Sequence, residues 1–169
     1  MSLPEVIQHQ DFLLTLNTNE ESIIKDALPG VDVYPLFLDP ENGTWVIRAK
    51  FKPGITLPKH FHTGVVHFYT SGAWHYIEYP DQVQTAGSYL YEPGGSIHTF
   101  HCPEESGGAD GFMVIQGANI NFDEEGNFIN IMDAGWIEQV VVAAAKAQGF
   151  TARYIKPGAI AALSDELAE

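Results

Sequence analysis

The stretch Gly54-Ile-Thr-Leu-Pro-Lys-His60-Phe-His62 is followed, after a hairpin-like run, by Gly87-Ser-Tyr-Leu-Tyr-Glu-Pro93-Gly-Gly95-Ser-Ile-His98. Six of the seven histidines, at positions 60, 62, 67, 75, 98 and 101, fall between Gly54 and Cys102. Side chains at i and i+2 of a strand share a face, so His60 and His62 present two imidazoles together. A third imidazole returned by a later strand makes a set of nitrogen ligands for a metal ion.

Upstream of this stretch, Trp45, Ile47, Ala49 and Phe51 alternate with Arg48, Lys50 and Lys52. That period of two predicts a strand with one apolar face. The basic row is either a solvated face or the wall of a pocket. Val31–Leu38 reads as another strand, with Pro35 suggesting an edge, and Asn42-Gly43 supplies a tight turn. Val65–Thr70 and Trp74–Tyr79 read as a hairpin about Ser71-Gly72. Strands are further expected over Thr85–Tyr91, Ile97–His101, Gly111–Phe122 and Phe128–Met132. Phe12–Leu16 suggests a short strand, and Asn19–Leu28 a short helix stopped by Pro29-Gly30. Asp133 is placed to cap a helix carrying Trp136, Ile137, Val140, Val141 and Ala144 at helical spacing, with Gly149 as its stop. A last short helix is expected over Ala159–Leu167. Many short strands between Gly and Pro turns, followed by a helix, indicate an all-β barrel or jelly roll. The 169 residues suit one domain, with a barrel core over about 31–132 and a helical segment over about 133–169.

Composition narrows the function. Ten Phe, seven Tyr and three Trp are enough for a substantial core. The formal net charge of −14 argues against nucleic acid and anionic membranes as partners. No Lys or Arg lies between His60 and Ala145, so a phosphorylated substrate would find no usual partner there unless Arg48 or Lys59 turns inward. The single Cys102 rules out an internal disulfide. There is no apolar run of membrane-spanning length, and no signal-peptide pattern, so a cytoplasmic location is expected.

The order His-x-His, hairpin, Pro-x-Gly-x-x-His resembles the cupins. Their first motif runs Gly, five residues, His-x-His, three or four residues, Glu, six residues, Gly; Gly54, His60 and His62 fit. Their second runs Gly, five residues, Pro-x-Gly, two residues, His, three residues, Asn; Gly87, Pro93, Gly95 and His98 fit. Two positions depart. His67 stands where the Glu belongs and Cys102 where the Asn belongs. Within the superfamily, His60-Phe-His-Thr-Gly, Gly72-Ala-Trp-His-Tyr and Thr85-Ala-Gly-Ser-Tyr-Leu-Tyr-Glu-Pro are similar to the branch that holds 2,4'-dihydroxyacetophenone dioxygenase, acetylacetone dioxygenase and the cupin half of the anti-sigma factor ChrR. The resemblance implies a small antiparallel barrel, metal ligands at His60, His62 and His98, and a homodimer.

Three further residues are candidates for the chemistry. His67 is a fourth ligand, a donor behind the ligands, or a bystander. Glu92, six residues before His98, is either a solvated turn carboxylate or a partner that accepts the free ring N–H of a ligand histidine. Glu78, expected on one face with Trp74 and Tyr76, is a carboxylate that could replace the missing Glu. His75 and His101 read as structural, and Cys102 shares the parity of His98, as a small apolar wall residue.

Three neutral imidazoles leave a divalent ion's charge uncompensated. Such a centre favours a substrate that chelates as an anion, such as the enolate of a β-diketone or hydroxyketone. The leading expectation is therefore a non-haem iron(II) dioxygenase that joins O2 to such a molecule and cleaves a C–C bond. Phe68, Tyr69, Trp74, Tyr76 and Phe100 are its expected apolar wall. The alternatives are a non-redox isomerase or hydrolase using zinc, nickel or manganese as Lewis acid, and a zinc-binding sensor without catalysis.

Overall fold

The computed structural model describes residues 13–19, 23–158 and 161–167. The chain opens with strands β1 (Ile24–Leu28), β2 (Val31–Asp39) and β3 (Thr44–Phe51). The histidine stretch supplies β4 (Lys59–His62), β5 (Val66–Thr70), β6 (His75–Tyr76), β7 (Tyr89–Glu92), β8 (Ile97–His98) and β9 (Phe100–His101). Then come β10 (Ala109–Gln116), β11 (Asn119–Phe122), β12 (Phe128–Met132) and helix α1 (Ala134–Ala147). Two short strands, β13 (Ile155–Lys156) and β14 (Ala162–Leu163), end the described chain with one 3-10 turn, Ser164–Glu166.

Eight strands form the larger sheet, in the order β14-β13-β2-β3-β10-β5-β7 with β1 added against β2. Four form the second, β12-β11-β4-β8, and β6 and β9 pair by themselves. Pairing is antiparallel except where β13 meets β2. The result is the expected all-β jelly roll with a C-terminal helix. Alternation in β3 places Trp45, Ile47, Ala49 and Phe51 in the core. The basic row faces outward, where Arg48 forms a two-pronged pair with Asp110 and Lys52 pairs with Asp26. The pocket wall is thus the apolar row.

The predicted hairpin over Val65–Tyr79 does not form. β5 pairs with β7 and β10, whereas β6 crosses to β9. Trp74 explains the parting. Its indole is fully buried, stacks on Phe68 at 4.8 Å and donates to Thr70 Oγ1 at 2.8 Å. This burial pulls the chain out of the sheet immediately after β5. The strand expected over Gly111–Phe122 is also two. Gly117, at φ 79°, turns the chain from the larger sheet into the smaller, and its N–H is held by the Gly43 carbonyl. Instead of the helix expected over Asn19–Leu28, residues 24–28 form β1, because Ile24 is buried opposite Val33 on β2 (residues 20–22 lie outside the described ones). Phe12 is also outside them, and Leu13–Leu16 form no strand. Pro35 is not on an edge. It sits at a register shift with β3, between the parts of β2 that pair with β1 and with β13, where its missing N–H costs no ladder bond.

α1 is capped as expected, with the Asp133 carboxylate accepting from Trp136 N at 2.8 Å. It buries Ala134, Ile137, Val141 and Ala145. The described segment beyond it holds two short strands and the 3-10 turn rather than a second α-helix. β13 and β14 return to the larger sheet, and Leu163 is buried there in place of the helix expected over Ala159–Leu167 (residues 159–160 and 168–169 lie outside the described ones). The barrel therefore extends past 31–132 at both ends.

Gly111 on β10 gives a direct test of this packing. A Cβ there would lie 2.0 Å from the Phe68 ring, which lines the barrel interior. Gly111→Ala should lower stability by about 1–3 kcal/mol through overpacking, read as a reduced urea midpoint at unchanged m-value.

Candidate metal centre

The three histidines of the two motifs converge. β4 runs antiparallel to β8 with His60 opposite His98, and i, i+2 spacing puts His62 beside them. The loop between β7 and β8 fastens the arrangement. Gly95 N–H donates to the His62 carbonyl at 2.7 Å, and His62 N–H donates to the Ser96 carbonyl at 2.9 Å. Gly95, at φ 90°, permits the turn. The ring centroids lie 4.8–4.9 Å apart, and all three residues are buried.

One ligand atom from each histidine lies within 4.8 Å of the others. The Nε2 atoms of His62 and His98 are 3.0 Å apart. Two nitrogens each ~2.1 Å from an ion and at right angles to each other would be separated by about 3.0 Å. His60 Nδ1 lies 2.9 Å from the Pro58 carbonyl oxygen. A proton on Nδ1 is then donated outward and the Nε2 lone pair is left for the cluster. The donor set and spacing fit a divalent metal with open positions.

Glu92 joins the cluster. Its Oε2 is 2.9 Å from His62 Nε2 and 3.6 Å from His98 Nε2. Tyr76 donates its hydroxyl to Oε1, and the Tyr76 ring stacks on His98 at 3.7 Å. The expectation that Glu92 accepts a free ring N–H is corrected in one respect. It meets the nitrogens that face the cluster, because Glu92 ends β7 with its side chain turned inward. Burial pushes its carboxyl up, but hydrogen bonds from His62 and His98 outweigh that and hold it well below the usual carboxylate range. Burial and then Glu92 raise the Tyr76 phenol well above its ordinary value.

His67 and Glu78 lie elsewhere. On β5, Val66 and Phe68 point inward, so alternation turns His67 to the outer face, where Nδ1 is 2.7 Å from the Tyr89 hydroxyl. Glu78 lies beyond the end of β6 and accepts from Thr99 N and Oγ1 at 2.8 and 2.9 Å, with Lys59 at 3.7 Å. His75 and His101 pack edge to face in the β6–β9 pair, as structural residues. Cys102 is buried beside Ser106, apart from the cavity-lining residues.

The cluster opens into a cavity of about 510 Å³. Phe68, Tyr76 and Phe100 line it as expected. Tyr69 faces solvent, and Trp74 lies behind Phe68 in the core; Trp45, Phe51 and Trp136 take their places in the wall. No Lys or Arg lines it among the described residues. Three cavity-lining amides, the buried Asn119 and Asn121 and the half-buried Asn130, were missed from the sequence, although Asn119-Ile-Asn121 alternates as an inward row would.

Burial, followed by the neighbouring His62, lowers the His60 pKa from 6.5 to about 4. An unfolded chain takes up this proton near pH 6.5, and the folded, metal-free protein only near pH 4. The associated stability is complete above pH 6.5 and is lost as pH falls to 4. In chelator-treated protein, His60→Gln should flatten this part of the stability profile by up to roughly 3 kcal/mol, measured by urea unfolding at successive pH values.

Residues 13–117 match the family model of the ChrR cupin-like domain. The chain matches no curated protein. A Ralstonia eutropha JMP134 protein of unknown function with a cupin-like fold is 48% identical and has a TM-score of 0.85, the match covering 90% of this chain and 96% of that one. A second protein of that organism, an RmlC-like cupin, is 26% identical with a TM-score of 0.73, over 86% of this chain and 92% of its own. An acetylacetone dioxygenase from Acinetobacter johnsonii shares the fold at 18% identity and a TM-score of 0.67, over 85% of this chain and 99% of its own. The fold, the histidine motifs and the extent of the family match place this chain in the ChrR cupin-like family.

Proposed function

We propose that the protein is a non-haem iron(II) dioxygenase that cleaves a C–C bond in a small diketone or hydroxyketone. The observation that carries this reading is a three-histidine cluster with a buried carboxylate, opening into a largely apolar cavity. Iron(II) held by His60, His62 and His98 would supply coordination positions for a chelating enolate and for O2.

The chain's own groups suit such a substrate. Glu92 Oε2 is positioned to take the proton between the two carbonyls as the enolate forms, and the Tyr76 hydroxyl holds the carboxylate in place through Oε1. Glu92 gives up its own negative charge as it takes that proton, so the enolate then carries the one anionic charge beside the dication, and a second anionic group on the substrate would find no further cation. The absence of Lys and Arg from the described lining agrees. The apolar wall would limit water at the reacting centre. Overall, a β-diketone and O2 would give a carboxylic acid and a 2-oxoaldehyde, and a hydroxymethyl ketone and O2 would give two carboxylic acids. Both oxygen atoms end in the products.

Protein reloaded anaerobically with iron(II) should consume O2 with β-diketones or hydroxyaryl ketones. His98→Ala should abolish uptake, and Glu92→Gln should slow it by ~100-fold or more while the iron content is retained. Tightly held zinc, nickel or manganese with no uptake on that panel would sink the oxygenase in favour of a Lewis-acid enzyme or a sensor.

The homodimer is part of this proposal. Phe112, Tyr69 and Tyr89 are cross-strand neighbours on the outer face of β10, β5 and the edge strand β7, at 43%, 54% and 62% exposure. A second copy laid on this aromatic row would cover both the row and the edge. Light scattering should give twice the chain mass, and Tyr69→Glu should shift it to the monomer. A wild-type monomer would refute the arrangement.

A further inference from the structure

The cavity carries a polar feature that metal binding does not use. β11 lies against β4 with Asn119 opposite His62 and Asn121 opposite His60, and β12 extends the second row with Asn130 opposite Asn121. Alternation turns these side chains to the same inner face as the histidines. One cross-strand row therefore reads His98, His60, Asn121, Asn130, and the adjacent row places Asn119 beside His62. Strand spacing puts the amides about 5 Å along the sheet from the histidines.

Their hydrogen bonding is incomplete. Asn121 donates from Nδ2 to Asn130 Oδ1 at 2.6 Å, so its carbonyl oxygen is the end on offer. Asn119 is only 7% exposed, and its Oδ1 has no hydrogen-bond partner. A buried acceptor left unmatched is costly, by an amount worth roughly a factor of ten in affinity when a ligand satisfies it. The facing wall, with Trp45, Phe51, Met113 and Ile115, offers no donor except the Trp45 indole, which is already bound to the Gly117 carbonyl.

We propose that Asn119, with Asn121, is the specificity-determining subsite of this cavity, accepting a hydrogen bond from a neutral O–H group that the substrate carries beside its chelating oxygens. This rests on the reading of the three-histidine cavity as the substrate site. The ligand class is a ketone with an apolar body and an uncharged hydroxyl. A five-carbon diketone would leave both the amides and most of the 510 Å³ unfilled. An anionic distal group would meet amide oxygens and no cation.

The test uses benzoylacetone and its ring-hydroxylated and ring-methoxylated derivatives at each ring position. Binding is followed by quenching of tryptophan fluorescence, since Trp45 and Trp136 line the cavity. Titrations are run on chelator-treated protein and on protein loaded with redox-inert zinc. Wild type should bind the best hydroxylated compound ~10-fold or more tightly than its methoxy counterpart. Asn119→Leu should erase this preference with little change in affinity for the methoxy compound, and Asn119→Thr, which keeps a hydroxyl acceptor, should retain part of it. Equal affinities in wild type, a preference that survives in Asn119→Leu, or no binding of any compound would overturn the proposal. The wild-type comparison decides even where a variant fails to fold. Hydroxyl preference without oxygen uptake in the iron-loaded protein would leave the subsite standing and remove the dioxygenase. Uptake without the preference would do the reverse.

Discussion

Two backbone hydrogen bonds, from Gly95 to the His62 carbonyl and from His62 to the Ser96 carbonyl, clamp the second histidine motif onto the first. The site depends on this clamp. With it, His60 faces His98 across the strand pair and the three rings meet within 5 Å. A register shift of one residue would turn His98 to the opposite face. The glycine and proline pattern of the second motif is therefore a positioning device. It sets the turn, the turn sets the register, and the register assembles the three histidines.

The electrostatics follow from burial. A chain of net charge −14 places the one glutamate that is buried among the described residues beside three imidazoles, with no Lys or Arg among the described lining residues. A carboxylate in such surroundings stays ionised only while hydrogen-bonded or near positive charge. Glu92 takes those bonds from His62 and His98, and Tyr76 satisfies its other oxygen. The cluster is thus an anionic, nitrogen-rich site set to receive a cation. Glu92 supplies the negative charge that the departure at His67 had seemed to remove.

The larger sheet serves the site by supplying what is not polar. Phe51 on β3 and Phe68 on β5, joined by Phe100 from β9 and Trp74 from the loop after β5, pack ring on ring at centroid separations of 4.4–6.4 Å. Each buried ring contributes on the order of 2 kcal/mol. They hold an interior in which a few polar groups can select a ligand. The inward polar groups come chiefly from the smaller sheet, where histidines and asparagines share one face, and are joined by Glu92 at the end of β7 and Tyr76 on β6.

Much of this was legible in the sequence because it is local. His60 and His62 share a face through the pleat, the Pro-Gly turns are set by backbone sterics, and the alternation in β3 and the Asp133 cap are read within a few residues. Elements whose fate depends on distant partners were not legible. Residues 24–28 became a strand because Ile24 found Val33, the run 65–79 was split by the burial of Trp74, and the C-terminal segment joined the sheet through Ile155 and Leu163. Alternation along β5 already turned His67 from its two inward neighbours, but only the sheet pairing settled which face was inside. The sequence by itself determined the barrel class and the three histidines of the candidate metal centre, since spacing and turn chemistry carry both. Only the tertiary structure decided that Glu92 meets the cluster, that Glu78 does not, and that Asn119 and Asn121 stand beside the histidines. Those contacts are cross-strand neighbours of segments far apart in the chain, and their register is set by the packing of the whole barrel.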